Sequence, residues 1–172
     1  MLIGGGCAMV VVAGLLEAWI PALPGVPGKL EQGATVADIG CGGGASTILL
    51  ARAYPESLFW GFDGDTAAIR AAGQRAAEAG VAERIRFEVA GPEDYPGTSF
   101  DLVCHFDRLR TAADPVGAAR HVLETLAPDG SWLLVVDASS EPWLREVAAA
   151  AGFSRFRRAG QVAYDVVLEG KP

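Results

Sequence analysis

The segment from Thr35 to Ala53 constrains the fold more than any other. A short apolar run, Thr35–Ile39, ends in Gly40-Cys41-Gly42-Gly43-Gly44 and passes directly into the helical run Ser46–Ala53. Strand, glycine turn and helix in that order make the first half of a βαβ unit. The glycines supply a tight turn and let a ligand approach the main chain closely. The alternation then continues. Strands are predicted at Leu58–Phe62, Ile85–Val89, Phe100–His105 and Trp132–Val136, the last after a turn at Pro128-Asp129-Gly130. Helices are predicted at Thr66–Ala79, Pro115–Leu126 and Pro142–Ala151, two of them stopped by Gly80 and Gly152. Such alternation predicts an α/β fold, a Rossmann-like doubly wound sheet. The final strands, Phe153–Arg158 and Val162–Leu168, are separated only by Ala159-Gly160-Gln161. That gap is too short for a parallel crossover, so the pair forms a hairpin or the last strand inserts antiparallel beside another neighbour.

The chain has 172 residues, of which 51% are apolar, enough for one domain with a buried core. The predicted division is an N-terminal helix and loop over 1–28 and a core over 29–172. Gly4-Gly5-Gly6 reads as flexible, residues 8–20 as a core-facing helix ending before Pro21, and Pro21–Gly28 as a loop. The apolar run 7–16 lacks the positive flank of a signal peptide, since the first basic residue is Lys29, and Glu17 interrupts it before it could span a bilayer. The expectation is a cytoplasmic protein without membrane contact. The apolar N-terminal helix offers a surface for a homodimer or a partner subunit. A net charge of −7 argues against nucleic acid as partner, because that affinity comes from Lys and Arg on phosphates. Cys7, Cys41 and Cys104 form no CxxC pair, and with two histidines they make no metal site.

Two readings of the glycine loop compete. Gly40, Gly42 and Ala45 fit G-x-G-x-x-A, a dinucleotide fingerprint; Asp38, Gly40, Gly42 and Gly44 fit D-x-G-x-G-x-G. Asp38 disfavours the dinucleotide, because its carboxylate would lie near a pyrophosphate. A carboxylate there suits a ligand with an ammonium group and no phosphate, such as S-adenosylmethionine (SAM). Asp63, at the end of the next predicted strand, is placed to take ribose hydroxyls of either ligand. The bland alternatives are a glycine turn that only packs helix on strand, and a solvated Asp63.

The pieces VADIGCGGG (36–44), GFD (61–63), FDLV (100–103), DP (114–115), LAPDGSWLLVV (126–136) and AGF (151–153), in this order, resemble the class I SAM-dependent methyltransferases, in particular the small-molecule type. The resemblance covers roughly 28–170. It implies the sheet order 3-2-1-4-5-7-6 with strand seven antiparallel. It places Asp38, Gly40, Gly42 and Gly44 at the amino-acid end of SAM or of its product S-adenosylhomocysteine (SAH), Asp63 with Gly64 at the ribose, Gly91 and Pro92 near adenine, and Phe106 at the methionine side.

Departures from the family pattern are as informative. An Asp is common where Gly91 stands, and Pro92 lacks an N–H, leaving Glu93 or Asp94 to substitute. Relatives often carry a histidine where Arg110 stands. His105 and Asp107 are then the candidate general bases, and Arg108 with Arg110 could clamp an acidic substrate; the plain alternatives are a packing histidine and exposed arginines. His121 reads as structural. Little chain separates Val136 from the next helix, so the usual substrate-cover segment is missing and the form is compact. The expected activity is methyl transfer from SAM to an oxygen, nitrogen or carbon of a small molecule. The rivals are a SAM- or SAH-binding protein that does not methylate alone (a partner-dependent subunit, binding module or cyclase-type enzyme) and an NAD-dependent oxidoreductase.

Overall fold

The computed structural model describes residues 14–172. Seven strands, β1 (Thr35–Ile39), β2 (Leu58–Asp63), β3 (Ile85–Val89), β4 (Phe100–Phe106), β5 (Leu126–Asp137), β6 (Arg155–Val162) and β7 (Asp165–Lys171), form one sheet. Its order is β3-β2-β1-β4-β5-β7-β6, with β7 antiparallel to both neighbours. The order and the reversed strand match those implied by the family resemblance. Helices α1 (Val26–Gln32), α2 (Ala45–Ala53), α3 (Thr66–Glu78), α4 (Pro115–Thr125) and α5 (Glu141–Ala151) cover the sheet.

Alternation along the strands divides the core between two faces. On β5, Trp132, Leu134 and Val136 face a cluster that includes Val122 of α4 and Leu144 and Ala148 of α5. Leu133 and Val135 face the opposite cluster, with Leu30 of α1, Leu50 of α2 and Ala76 of α3. β1 and β4 are buried on both faces, which is why they read as continuous apolar runs.

Three local expectations need correction. The stretch 21–28 is not all loop, because α1 begins at Val26. Gly25 at φ 82° caps it, and Pro27 lies in the first turn, where its missing N–H costs nothing. The turn at Pro128-Asp129-Gly130 lies within the long strand β5, where the register with β4 jumps from Phe100↔Leu126 to Leu102↔Ser131. The last hairpin turns at Ala163-Tyr164, with Ala163 at φ 53°, and the predicted turn around Gly160 is instead a register shift in β6. The described end of the N-terminal segment is a π-helical turn, Leu15–Trp19, whose Leu15 and Trp19 are buried. Residues 8–13 of the predicted helix, and Gly4-Gly5-Gly6, lie outside the described residues. Among the described residues no helix is long and apolar enough to cross a membrane.

Candidate active site

A cavity of ≈ 320 Å³ opens at the C-terminal ends of β1, β2, β3 and β4. It contains the crevice between β1 and β4, where the strand order reverses and where open α/β sheets place their ligands. Its size is that of a small-molecule cleft.

The glycine loop forms the floor beside β1. The N–H groups of Gly40 and Cys41 both donate to the Phe62 carbonyl, at 2.7 and 3.0 Å, which folds the loop over the end of β2. Gly40, Gly42 and Gly44 have φ of 74°, 53° and 77°, a region other residues adopt only with strain. At Gly44 a side chain is doubly excluded, because a Cβ would lie 2.7 Å from the Phe87 ring. Phe87 fills the same space against Gly61.

Asp63 enters the cavity already oriented. One carboxylate oxygen accepts the Gly42 N–H and the other the Asp65 N–H, both at 2.9 Å. Each oxygen keeps a lone pair for a ligand hydroxyl. Asp65 in turn caps α3 by accepting from Ala67 and Ala68. Asp38 is buried behind the loop, and one of its oxygens accepts from Ser46 Oγ (2.5 Å) and Thr47 Oγ1 (2.7 Å). The other oxygen, Oδ1, is buried without a partner. Burial pushes this carboxyl above its ordinary range, the two hydroxyls pull it down, and Asp63 adds a smaller upward push.

Beyond β3, Gly91 turns the chain with its N–H on Asp94 Oδ1 at 2.8 Å, so that amide is spent within the turn. One oxygen of Asp94 is thereby taken as well. Pro92 and Glu93 line the cavity, with Gly64 and Ala90. On the β4 side the lining groups are His105, Arg108 and Thr111 to Ala113. His105 is buried, and burial lowers its pKa from 6.5 to about 3. Phe106 points to the opposite face, its ring 5.9 Å from that of Trp19. Asp107 is exposed at φ 53° and outside the cavity lining. Arg110 leaves the cavity altogether. Its Nη1 donates to Ser140 Oγ at 2.6 Å and its guanidinium lies 5.7 Å from the Trp143 ring centre. His121 is structural, hydrogen-bonded through Nε2 to the Tyr95 carbonyl at 2.8 Å. Among the described residues no cluster of His, Cys, Asp and Glu could hold a metal ion.

The structure therefore brings together Gly40, Asp63, Gly64, Pro92 and His105, with Gly42 tied to Asp63, Gly44 capping the next helix and Asp38 behind them. Sequence reasoning missed Trp132, whose indole N–H lies 3.1 Å from His105 Nδ1. Pairing β4 with β5 could have found it: His105 sits opposite Leu134, two residues from Trp132, on one sheet face.

This arrangement defines a class of protein, and comparison with known proteins agrees. The family described as "Methyltransferase domain" matches residues 30–154. The chain is 30% identical over 155 residues to the trans-aconitate 2-methyltransferase of Streptomyces coelicolor, covering 87% of this chain and 49% of that protein. The Paracidovorax citrulli protein of the same name is 31% identical over 126 residues, covering 71% and 47%. The chain thus spans about half the length of the curated relatives it matches. Among solved structures, an N,N-8-amino-8-demethyl-D-riboflavin dimethyltransferase from Streptomyces davawensis has the same fold, with TM-score 0.76, 19% identity, and coverage of 95% of this chain and 54% of that one.

The chain belongs to the methyltransferase domain family, with the fold of the class I SAM-dependent methyltransferases, and SAM is the cofactor that membership implies for it.

Proposed function

We propose that this chain holds SAM in the cavity and transfers its methyl group to an oxygen, nitrogen or carbon of a small molecule. The observation that carries this reading is the joint lining of one cavity by Gly40, from the end of β1, and the pre-oriented Asp63, from the end of β2. The residues present fit the cofactor. At Gly42 the nearest group to where a Cβ would stand is 3.8 Å away, so the main chain there is open to a ligand, and Asp38 Oδ1 is a buried acceptor without a donor, suited to an ammonium group.

In this reading the nucleoside lies over β2 and β3. Asp63 takes the ribose hydroxyls beside Gly64, and Pro92 covers the ring with a surface that has no N–H to offer. Glu93, and not Gly91, is the acceptor for the adenine amino group. The amino-acid end lies over Asp38, Gly40, Gly42 and Gly44. SAM, when bound, supplies an electrophilic methyl on a sulfonium. The chain's own contribution is orientation, holding the acceptor in line and displacing water from the floor of the cleft. Of the two groups expected as a base, Asp107 stands at the rim in contact with solvent. Wild-type rates in both His105→Ala and Asp107→Ala would remove general-base catalysis by either residue.

The acceptor to try first is trans-aconitate, for which the curated relatives are named. β5 passes into α5 through only Ala138–Ser140, so the acceptor side of the cavity carries no inserted cover among the described residues. The described end of the N-terminal segment spends Leu15, Trp19 and Ile20 on the chain's own core, and a second copy or partner subunit there is a question for light scattering.

Calorimetry with SAM, SAH and NAD tests the reading. Binding of SAM and SAH but not NAD is expected, with affinity lost in Asp63→Ala. Failure of both SAM and SAH to bind at about millimolar concentration, the weak limit of specific recognition, would overturn it.

A further inference from the structure

His105 is held by a partner that dictates its protonation. Trp132 is fully buried, its ring edge-on to the imidazole at 78° with centroids 5.8 Å apart. An indole N–H only donates, so His105 Nδ1 must present its lone pair to it, at 3.1 Å. A neutral imidazole with Nδ1 as acceptor carries its proton on Nε2. That Nε2 is buried and has no protein partner, while the residue lines the cavity. A buried N–H without an acceptor is costly and calls for one to arrive.

Arg108 is the second unspent donor. Its stem lies over Gly40, and its Nη2 reaches to 3.8 Å from where a Gly42 Cβ would be. No carboxylate lies within ion-pair distance of it among the described residues, whereas Glu141 and Glu169 are taken by Arg145, Arg158 and Arg157. The cavity's own carboxylates, Asp63 and Glu93, come from the ends of β2 and β3. His105 and Arg108 come from β4 and the loop after it, on the other side of β1. The cavity is therefore acceptor-lined at one end and donor-lined at the other.

We propose that His105 Nε2–H and Arg108 together bind a carboxylate of the small molecule in the cavity, and that Trp132 is the positioning residue that fixes the His105 tautomer. His105 is then a donor and not a general base. Its low pKa keeps the imidazolium from competing near neutral pH. The proposal rests on the functional reading above only for the source of the carboxylate, which is either the amino-acid end of the cofactor or the acceptor.

The test is the ring nitrogen spectrum of the ¹⁵N-labelled full chain, in which His121→Gln assigns the other described histidine. The expected result is protonated Nε2 and unprotonated Nδ1 on His105, unchanged between about pH 8 and pH 5. A protonated Nδ1, or an imidazolium near pH 6, overturns the proposal. Trp132→Phe should raise the Nδ1–H population in a chain whose remaining spectrum stays folded. If that variant does not fold, the wild-type tautomer and the ligand shifts still decide.

Three probes separate the sources: SAH, 5′-methylthioadenosine (a nucleoside without the carboxylate) and trans-aconitate (carboxylates without a nucleoside). Movement of the Nε2–H resonance with SAH but not with 5′-methylthioadenosine assigns the cofactor's carboxylate. Movement with trans-aconitate assigns the acceptor's. No movement with any of the three overturns the proposal. Arg108→Gln should weaken the effective probe about tenfold to a hundredfold, as for a lost charge-assisted hydrogen bond; unchanged affinity removes Arg108 from the site. Failure of SAH to bind would sink the cofactor reading, while the trans-aconitate arm would still judge this one.

Discussion

The two walls of the cavity are built by different means. The β1–β2 wall is made of main chain and of one carboxylate anchored to it. Gly40 and Cys41 bond to the end of β2, Gly42 and Asp65 fix Asp63, and no large side chain is needed. The β4 wall is made of side chains set by packing. His105 is oriented by Trp132 from the neighbouring strand, and Arg108 lies across the loop by its stem. A wall of main chain tolerates almost no change in shape. A wall of side chains can be altered one group at a time while the sheet beneath it stays intact, which makes it the side on which the chemistry of the cavity can vary.

The largest effect should come from Gly44→Val, which would test the rigidity of the first wall. It combines an unfavourable φ with a clash on Phe87, and should cost about 3 kcal/mol or more and abolish SAH binding. Urea denaturation with calorimetry checks this, and a loss under about 1 kcal/mol would break the comparison.

Next is Asp38→Asn. Burial raises this carboxyl above its unfolded value of 3.8, so the native chain keeps a proton that the unfolded chain has lost. Stability then falls as pH rises from 3.8 towards the raised value. Asn carries no such charge. The variant should gain roughly 1 kcal/mol at neutral pH and lose SAM affinity, a trade of function for stability. Denaturation curves across pH, beside SAM titrations, decide it; a variant that is both less stable and equally tight-binding would refute the assignment.

His105→Leu probes the second wall with the opposite sign. Its pKa is lowered from 6.5 to about 3, so the unfolded chain takes up a proton that the native chain refuses. Stability falls as pH drops from 6.5 towards about 3, and the Leu variant should lack that part of the fall. The gap between the two curves should reach about 1–2 kcal/mol near pH 5. Parallel curves would mean that the histidine is solvated. The smallest effect is expected at Asp107→Gly, which relieves a left-handed residue outside the cavity. Stability should rise by about 0.5 kcal/mol and SAH affinity stay within about twofold, measured on the same instruments.

The contrast between the walls also explains what could be read from the sequence. The β1–β2 wall is local: glycines after an apolar run, and an acid ending the next strand, carry their meaning in residue type and spacing. Asp63 could be given a ribose role before its hydrogen bonds were known. The sheet order followed from the resemblance, and the short final gap already pointed to an antiparallel end. The β4 wall depends on which residues the sheet brings together. Trp132 looks like any core aromatic until β4 and β5 are paired, and Arg108 and Arg110, two positions apart, differ only in what they meet. The turn errors have a physical cause too. Pro128-Asp129-Gly130 has turn chemistry, and the strand absorbs it as an irregularity because β4 and the sheet core hold the flanking residues. Ala163 adopts a conformation that residue type does not advertise.

Phe87 couples positions that the chain keeps far apart. Its ring fills the space left open by Gly44, at the start of α2, and by Gly61, in the middle of β2. Gly44 is held to glycine by its φ of 77° as well as by this ring, so only positions 61 and 87 can exchange volume: a Cβ on Gly61 would lie 2.5 Å from the Phe87 ring, and alanine there should be tolerated better once Phe87 is reduced to alanine. In a lineage of such chains, positions 61 and 87 should drift together while Gly44 stays fixed.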